Sequence, residues 1–187
     1  LNTENLKNIT SVFSPTIAEI CKITNLKSIN LYAESLIRLA AIKKYNKANF
    51  YHAKLTLNDF FMSLNLNPYS IAIYDGSGLS PKNAVNSNFF TDFLINIKKE
   101  KWFSDFFNSI PIAANSSYLK NLIPHQYANN IRAKSGYMAN VFSYAGYFID
   151  KKNQLVAFTI IINGYTSEPK YVKEKIENFI YFIMSNL

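Results

Sequence analysis

Cysteine occurs once among the 187 residues, at Cys21, which excludes a disulfide within the chain; its apolar, helix-like surroundings predict a core position. Histidine is almost as scarce. His52 and His125 stand far apart with no Cys or Asp at metal-ligand spacing, so neither a metal nor a cofactor is expected. No apolar run approaches the roughly 18 residues a membrane-spanning helix needs, and no signal peptide is recognisable. Beginning at Leu1 in mid-pattern, the chain reads as a fragment or processed product. Acidic residues are few, 12 against 20 basic, for a formal charge of +8. The lysines are dispersed, with the pairs Lys43-Lys44, Lys98-Lys99 and Lys151-Lys152 at helix ends or in a turn, where the helix dipole and solvent account for them. Nucleic acid is therefore not an expected partner. The five glycines, Gly76, Gly78, Gly136, Gly146 and Gly164, all lie at or beside strand-like segments and leave the helical patterns uninterrupted.

What is abundant is apolar and aromatic: an apolar fraction of 49% can fill the core of a single domain. Ser14-Pro15 followed by Ile17, Ile20, Cys21 and Ile23 predicts a helix over 15–26. A second helix, 29–45, is apolar on nearly every side and is expected to be central. Further helices are predicted from Thr56 to Leu64, over 84–100 and from Trp102 to Phe107, with a short strand at Ile71–Tyr74 ending in the turn Asp75-Gly-Ser-Gly78. From Ile131 the pattern changes to period two. Ile131–Tyr137, Val141–Asp150 and Leu155–Gly164 read as three consecutive antiparallel strands, and Pro169 opens an amphipathic helix (Val172, Ile176, Phe179, Ile180, Ile183) that would cover one sheet face. The fold class is α+β, an antiparallel sheet flanked by helices.

Lys134-Ser135-Gly136 opens the first of these strands. An ammonium and a hydroxyl at a strand edge suit a substrate with a terminal carboxylate, the first supplying charge and the second a directional hydrogen bond. Gly136 leaves room for a substrate backbone. A peptide can then add to the edge as a further strand, and the next amide, of Tyr137, can face a developing oxyanion. Far upstream, Ser28-Ile-Asn30 precedes the second helix, where a serine is ordinarily an N-cap; Ser63-Leu-Asn65 repeats the bare pattern and shows how little it says alone.

Four blocks in order give these pieces context. Asn30-Leu-Tyr-Ala-Glu-Ser-Leu36, Asp75-Gly-Ser-Gly-Leu-Ser80, Arg132-Ala-Lys-Ser-Gly136 and Ser143-Tyr-Ala-Gly-Tyr147 resemble signatures of the D-alanyl-D-alanine carboxypeptidase/endopeptidase family, the class C low-mass penicillin-binding proteins. The resemblance implies a β-lactamase/transpeptidase-like fold, here as a partial domain, residues 1–187 being its C-terminal part. It implies that Ser28 relays a proton toward the leaving amine, Asn30 holds the substrate amide, and Lys134 with Ser135 holds the terminal carboxylate. Asp75, Gly76 and Ser77 are expected to form a turn near the site. The implied partners are peptidoglycan stem peptides ending in D-Ala, and β-lactams; the implied location is the periplasm or cell envelope.

Two departures stand out. Tyr137 occupies a place where the family has a small Thr or Ser, and Ala113-Ala-Asn-Ser-Ser-Tyr-Leu119 replaces a glycine-containing block. The family's nucleophile and base form a Ser-x-x-Lys before Ser-x-Asn, and nothing before Ser28 matches. Ser117-Tyr-Leu-Lys120 and Ser167-Glu-Pro-Lys170 have the spacing but lie on the wrong side of Ser28, and serine and lysine are common enough here to produce them by chance. The chain is therefore expected to carry half of an active site and to be inactive alone, the full-length protein being a serine-type carboxypeptidase. The alternative is a catalytically dead homologue that binds peptidoglycan peptides.

Overall fold

The computed structural model describes residues 9–113 and 125–187. The Ser117-x-x-Lys120 spacing and the block following Ala113 lie outside the described residues.

Helix α1 spans Ile17–Lys27 and starts two residues later than predicted, because Thr16 and not Ser14 caps it. The Thr16 hydroxyl accepts from the Glu19 amide (3.3 Å) while the Glu19 carboxylate accepts from the Thr16 amide (2.8 Å), a reciprocal pair that satisfies two orphan donors. Helix α2, Asn30–Tyr45, follows after a two-residue joint. Its apolar surround does not make it central. Only Ala41 is buried, and Leu31 is 72% exposed, with Leu39 and Ile42 also at the surface, since α1 and α3 cover only part of its circumference. Cys21 is likewise half-buried rather than in the core.

Helix α3 runs from Phe50 to Ser63, a full turn and more ahead of the predicted start. Asn49 caps it by accepting from the His52 amide, whereas Thr56 bonds back to the His52 carbonyl inside the helix. The predicted strand at Ile71–Tyr74 reduces to one antiparallel bridge, Ala72 with Ala84, closed by backbone bonds of 2.8 and 2.9 Å. The predicted helix 84–100 begins at Ser87, where Asn86 caps α4 (Ser87–Asn96), and ends in a 3₁₀ turn, Ile97–Lys99. Helix α5 is Phe103–Ser109 and α6 is the short His125–Ala128.

Three strands, β1 (Ile131–Met138), β2 (Val141–Ile149) and β3 (Leu155–Asn163), form an antiparallel sheet in that order, as expected. Register divides their side chains into two faces. Ile131, Ala133, Phe142, Tyr144 and Phe148 pack against Val172, Ile176, Ile180 and Met184 of α7 (Pro169–Asn186). Phe179, assigned to that seam from its spacing, instead faces outward at 52% exposure. The opposite face, through Ala145, Tyr147, Leu155 and Ala157, meets an aromatic core built from Phe61, Phe89, Leu94 and Ile97. Tyr147 ties the layers together, its buried hydroxyl donating to the Leu94 carbonyl at 2.7 Å.

Candidate functional site

Ser28 is the joint between α1 and α2. It caps the end of α1 rather than the start of α2, with φ 53° and ψ 51° in the left-handed region, a conformation that costs a residue with a Cβ about 1 kcal/mol. Its amide donates to the Thr24 carbonyl, and the next helix begins at once, with Ile29 in the cap position and no side-chain cap. The serine hydroxyl is thereby freed from capping. It accepts a hydrogen bond from the Lys134 Nζ at 3.0 Å, across 106 positions of sequence.

The same ammonium donates to the Ser135 carbonyl at 2.9 Å. Lys134 shares its sheet face with Gly136, Ala145 and Ser143, the face turned toward the helical layer, and burial pushes its pKa below the ordinary lysine value. A crevice lined by Asn25, Leu26, Ser28, Pro111, Ala133, Lys134 and Ser135 opens here. Its helical wall is pinned by Asn25, whose Nδ2 donates to the Ser109 hydroxyl of α5 at 2.8 Å. Neither Asn25 nor Ser109 stood out in sequence; only their contact across 84 positions reveals them.

β1 is an edge strand, and among the described residues only Pro111 and Ile112 pair with its free side. The Ala133 amide donates to the Pro111 carbonyl (3.1 Å), Ile112 bridges Arg132, and the Arg132 guanidinium reaches the Ile110 carbonyl and the ring of Phe107. Because backbone groups alternate with period two, the amides and carbonyls of Ser135 and Tyr137 face the same side as that of Ala133, beyond the stretch Pro111–Ile112 covers. The side chains of Ser135 and Tyr137 project on the α7 face, opposite to Lys134. A Cβ at Gly136 would lie 2.6 Å from the Ser143 Oγ, so the missing side chain also lets the paired strands share this row. Asn30 stands exposed at the first turn of α2, two residues beyond Ser28.

The Asp75 turn docks against α2 one turn further along. The Asp75 carboxylate accepts from the amides of Gly78, Leu79 and Ser80, the Ser77 hydroxyl and the Asn83 side chain. Burial opposes ionisation there, but these donors outweigh it and hold the pKa below the usual carboxylate value. Glu34 of α2 accepts from the Gly76 and Ser77 amides (2.7 and 3.3 Å). A Cβ at Gly76 would meet Ile37 at 2.6 Å and the α2 backbone near 3.1 Å. Ala33, Glu34 and Gly76 thus explain why two motif blocks far apart in sequence carry a small residue, a carboxylate and a glycine. Ser167-x-x-Lys170 sits at the head of α7, which packs on the face opposite to Lys134. Among the described residues no His, Cys, Asp or Glu group has metal-holding geometry, and no helix is long and apolar enough to cross a membrane.

The three-stranded antiparallel sheet between helices, with a lysine of its edge strand bonded to a serine at a helix joint, matches part of the β-lactamase/transpeptidase class of fold. An extended-spectrum β-lactamase, TLA-3, superposes with a TM-score of 0.66 at 13% identity over 90% of this chain and 64% of its own. Penicillin-binding protein 4 of Haemophilus influenzae superposes with a TM-score of 0.77 at 25% identity, covering 87% of this chain and 39% of that one. In sequence, D-alanyl-D-alanine carboxypeptidase DacB of the same organism is 27% identical over 173 residues, 90% of this chain and 36% of that protein. Residues 2–183 match the D-Ala-D-Ala carboxypeptidase 3 (S13) family, and the chain belongs to that family. It spans little more than a third of the curated relative's length.

Proposed function

We propose that the protein containing this chain is a serine-type D-Ala-D-Ala carboxypeptidase or endopeptidase that acts on peptidoglycan stem peptides through an acyl-enzyme, in the periplasm or cell envelope. The observation that carries the reading is the 3.0 Å bond from Lys134 to Ser28 beside an edge of β1 that, among the described residues, only Pro111 and Ile112 pair with. A substrate ending in D-Ala adds to that edge with its carboxylate at Lys134 and Ser135, and its reacting carbonyl meets the Tyr137 amide. Ser28, held by the ammonium, passes a proton toward the leaving amine, and Asn30 holds the substrate amide. The nucleophile and its base come from the part of the relatives' length this chain does not span. β-Lactams enter as substrate mimics, a reading supported by the β-lactam complex solved for the Haemophilus influenzae penicillin-binding protein 4.

The test is labelling of the complete gene product with a fluorescent penicillin, together with hydrolysis of an acyl-D-Ala-D-Ala peptide. Covalent labelling, with Lys134→Ala lowering hydrolysis by roughly 10²-fold or more, is the expected result. Peptide binding without an adduct would make the protein a non-catalytic peptidoglycan binder. Hydrolysis unchanged in Lys134→Ala would remove the assignment of the site.

A further inference from the structure

We infer that the side chain of Tyr137 limits the size of the substrate's C-terminal residue, the one that carries the carboxylate; the inference rests on the reading of this edge as the site that receives a D-alanyl terminus. Ser135 and Tyr137 project from the same face of β1, two residues and about 7 Å apart. A ligand whose carboxylate is held at Lys134 and Ser135, and whose carbonyl lies at the Tyr137 amide, has the side chain of its last residue between those two points. On the Ser135 and Tyr137 side, that space is bounded by the phenol ring.

The ring is placed by its neighbours. It packs on Phe142, directly across the strand pair, at 5.8 Å and an interplanar angle of 58°, and Phe142 in turn packs on the fully buried Tyr144 at 5.4 Å. Behind it the Tyr165 hydroxyl is buried; burial first, and the adjacent Tyr137 phenol second, push it above its ordinary value. Tyr137 itself remains 57% exposed, an aromatic ring standing at the free edge with one side supported and the other open to a ligand. One side of this wall therefore rests on Phe142, a residue of the core beneath α7. The wall admits a methyl or a hydrogen beside the carboxylate and rejects branched side chains, and a pocket of this kind discriminates by about 10-fold or more per misfitted methylene pair.

The experiment compares kcat/KM of the complete gene product for two peptides, acyl-D-Ala-D-Ala and acyl-D-Ala-D-Leu, in wild type, Tyr137→Thr, Tyr137→Phe and Lys134→Ala. The expected result is a wild-type preference for D-Ala that falls about 10-fold in Tyr137→Thr, through a gain on the D-Leu peptide, and is kept in Tyr137→Phe. A preference unchanged in Tyr137→Thr, or an equal loss on both peptides, overturns the inference while leaving the reading of the site in place. If Lys134→Ala hydrolyses the D-Ala peptide as wild type does, the site reading itself fails and the inference falls with it. Protein melting checked alongside separates a misfolded Tyr137→Thr from a folded one, and Tyr137→Ser then serves in its place with the same expected ratio.

Discussion

Lys134 is partly and Glu177 fully withdrawn from water, and each titration affects the stability of the fold with a definite sign. The Glu177 carboxyl, 0% exposed on α7, accepts from the Tyr144 hydroxyl at 2.9 Å and lies 3.7 Å from the Lys173 ammonium. Burial is the largest influence and raises its pKa above the ordinary value, against the lowering by Tyr144 and Lys173. A raised carboxyl favours the protonated fold, so its stabilisation is complete below the unfolded carboxyl value and is lost as pH rises through the folded one. Glu177→Gln is expected to flatten this slope and raise the melting temperature at pH 8 more than at pH 5, as calorimetry at the two pH values will show. For Lys134 burial lowers the pKa, so the charged side chain costs stability at neutral pH, and the cost disappears as pH rises toward the ordinary lysine range. Lys134→Met is accordingly expected to remove this part of the pH dependence, so that its melting temperature rises less than the wild type's between pH 7 and the ordinary lysine range.

Among the elements, the Asp75 turn and α2 show how a motif is held together by contact rather than by chemistry. Gly76→Ala forces a methyl into Ile37 and the α2 backbone and is expected to cost about 1–3 kcal/mol, measured by denaturant unfolding. Glu34→Ala removes the acceptor for two amides and should loosen the same turn, seen as faster amide exchange at Gly76 and Ser77. The strands were legible from sequence nearly to the residue, because alternation and a two-residue turn through Asn140 (φ 60°) leave little choice of register. Helix α2 was legible in extent but not in environment: periodicity reports which residues are apolar, and says nothing of what is packed against them. Ser28 illustrates the same limit at the site. Its residue type suggested an N-cap, and only the left-handed backbone shows that it closes the preceding helix and presents its hydroxyl to Lys134.

At the scale of the whole molecule, two apolar cores lie on opposite faces of one thin sheet, and Tyr147 spans from one strand row into the helical layer. Tyr147→Phe leaves the buried Leu94 carbonyl without its donor and is expected to cost about 1–2 kcal/mol. Because both cores share β2, the loss should appear as a shift of one unfolding transition, the same by fluorescence and circular dichroism; two separated transitions would show that the faces melt independently. Ser28 and Lys134 meet only when this assembly is complete. Their 106-residue separation makes the bond the closure of a very long loop, whereas α2 and α3 pack on each other through local contacts that form early. The Ser28–Lys134 contact is therefore a late event in folding, and a refolding chain should recover its helical signal before the amides of β1 gain protection from hydrogen exchange.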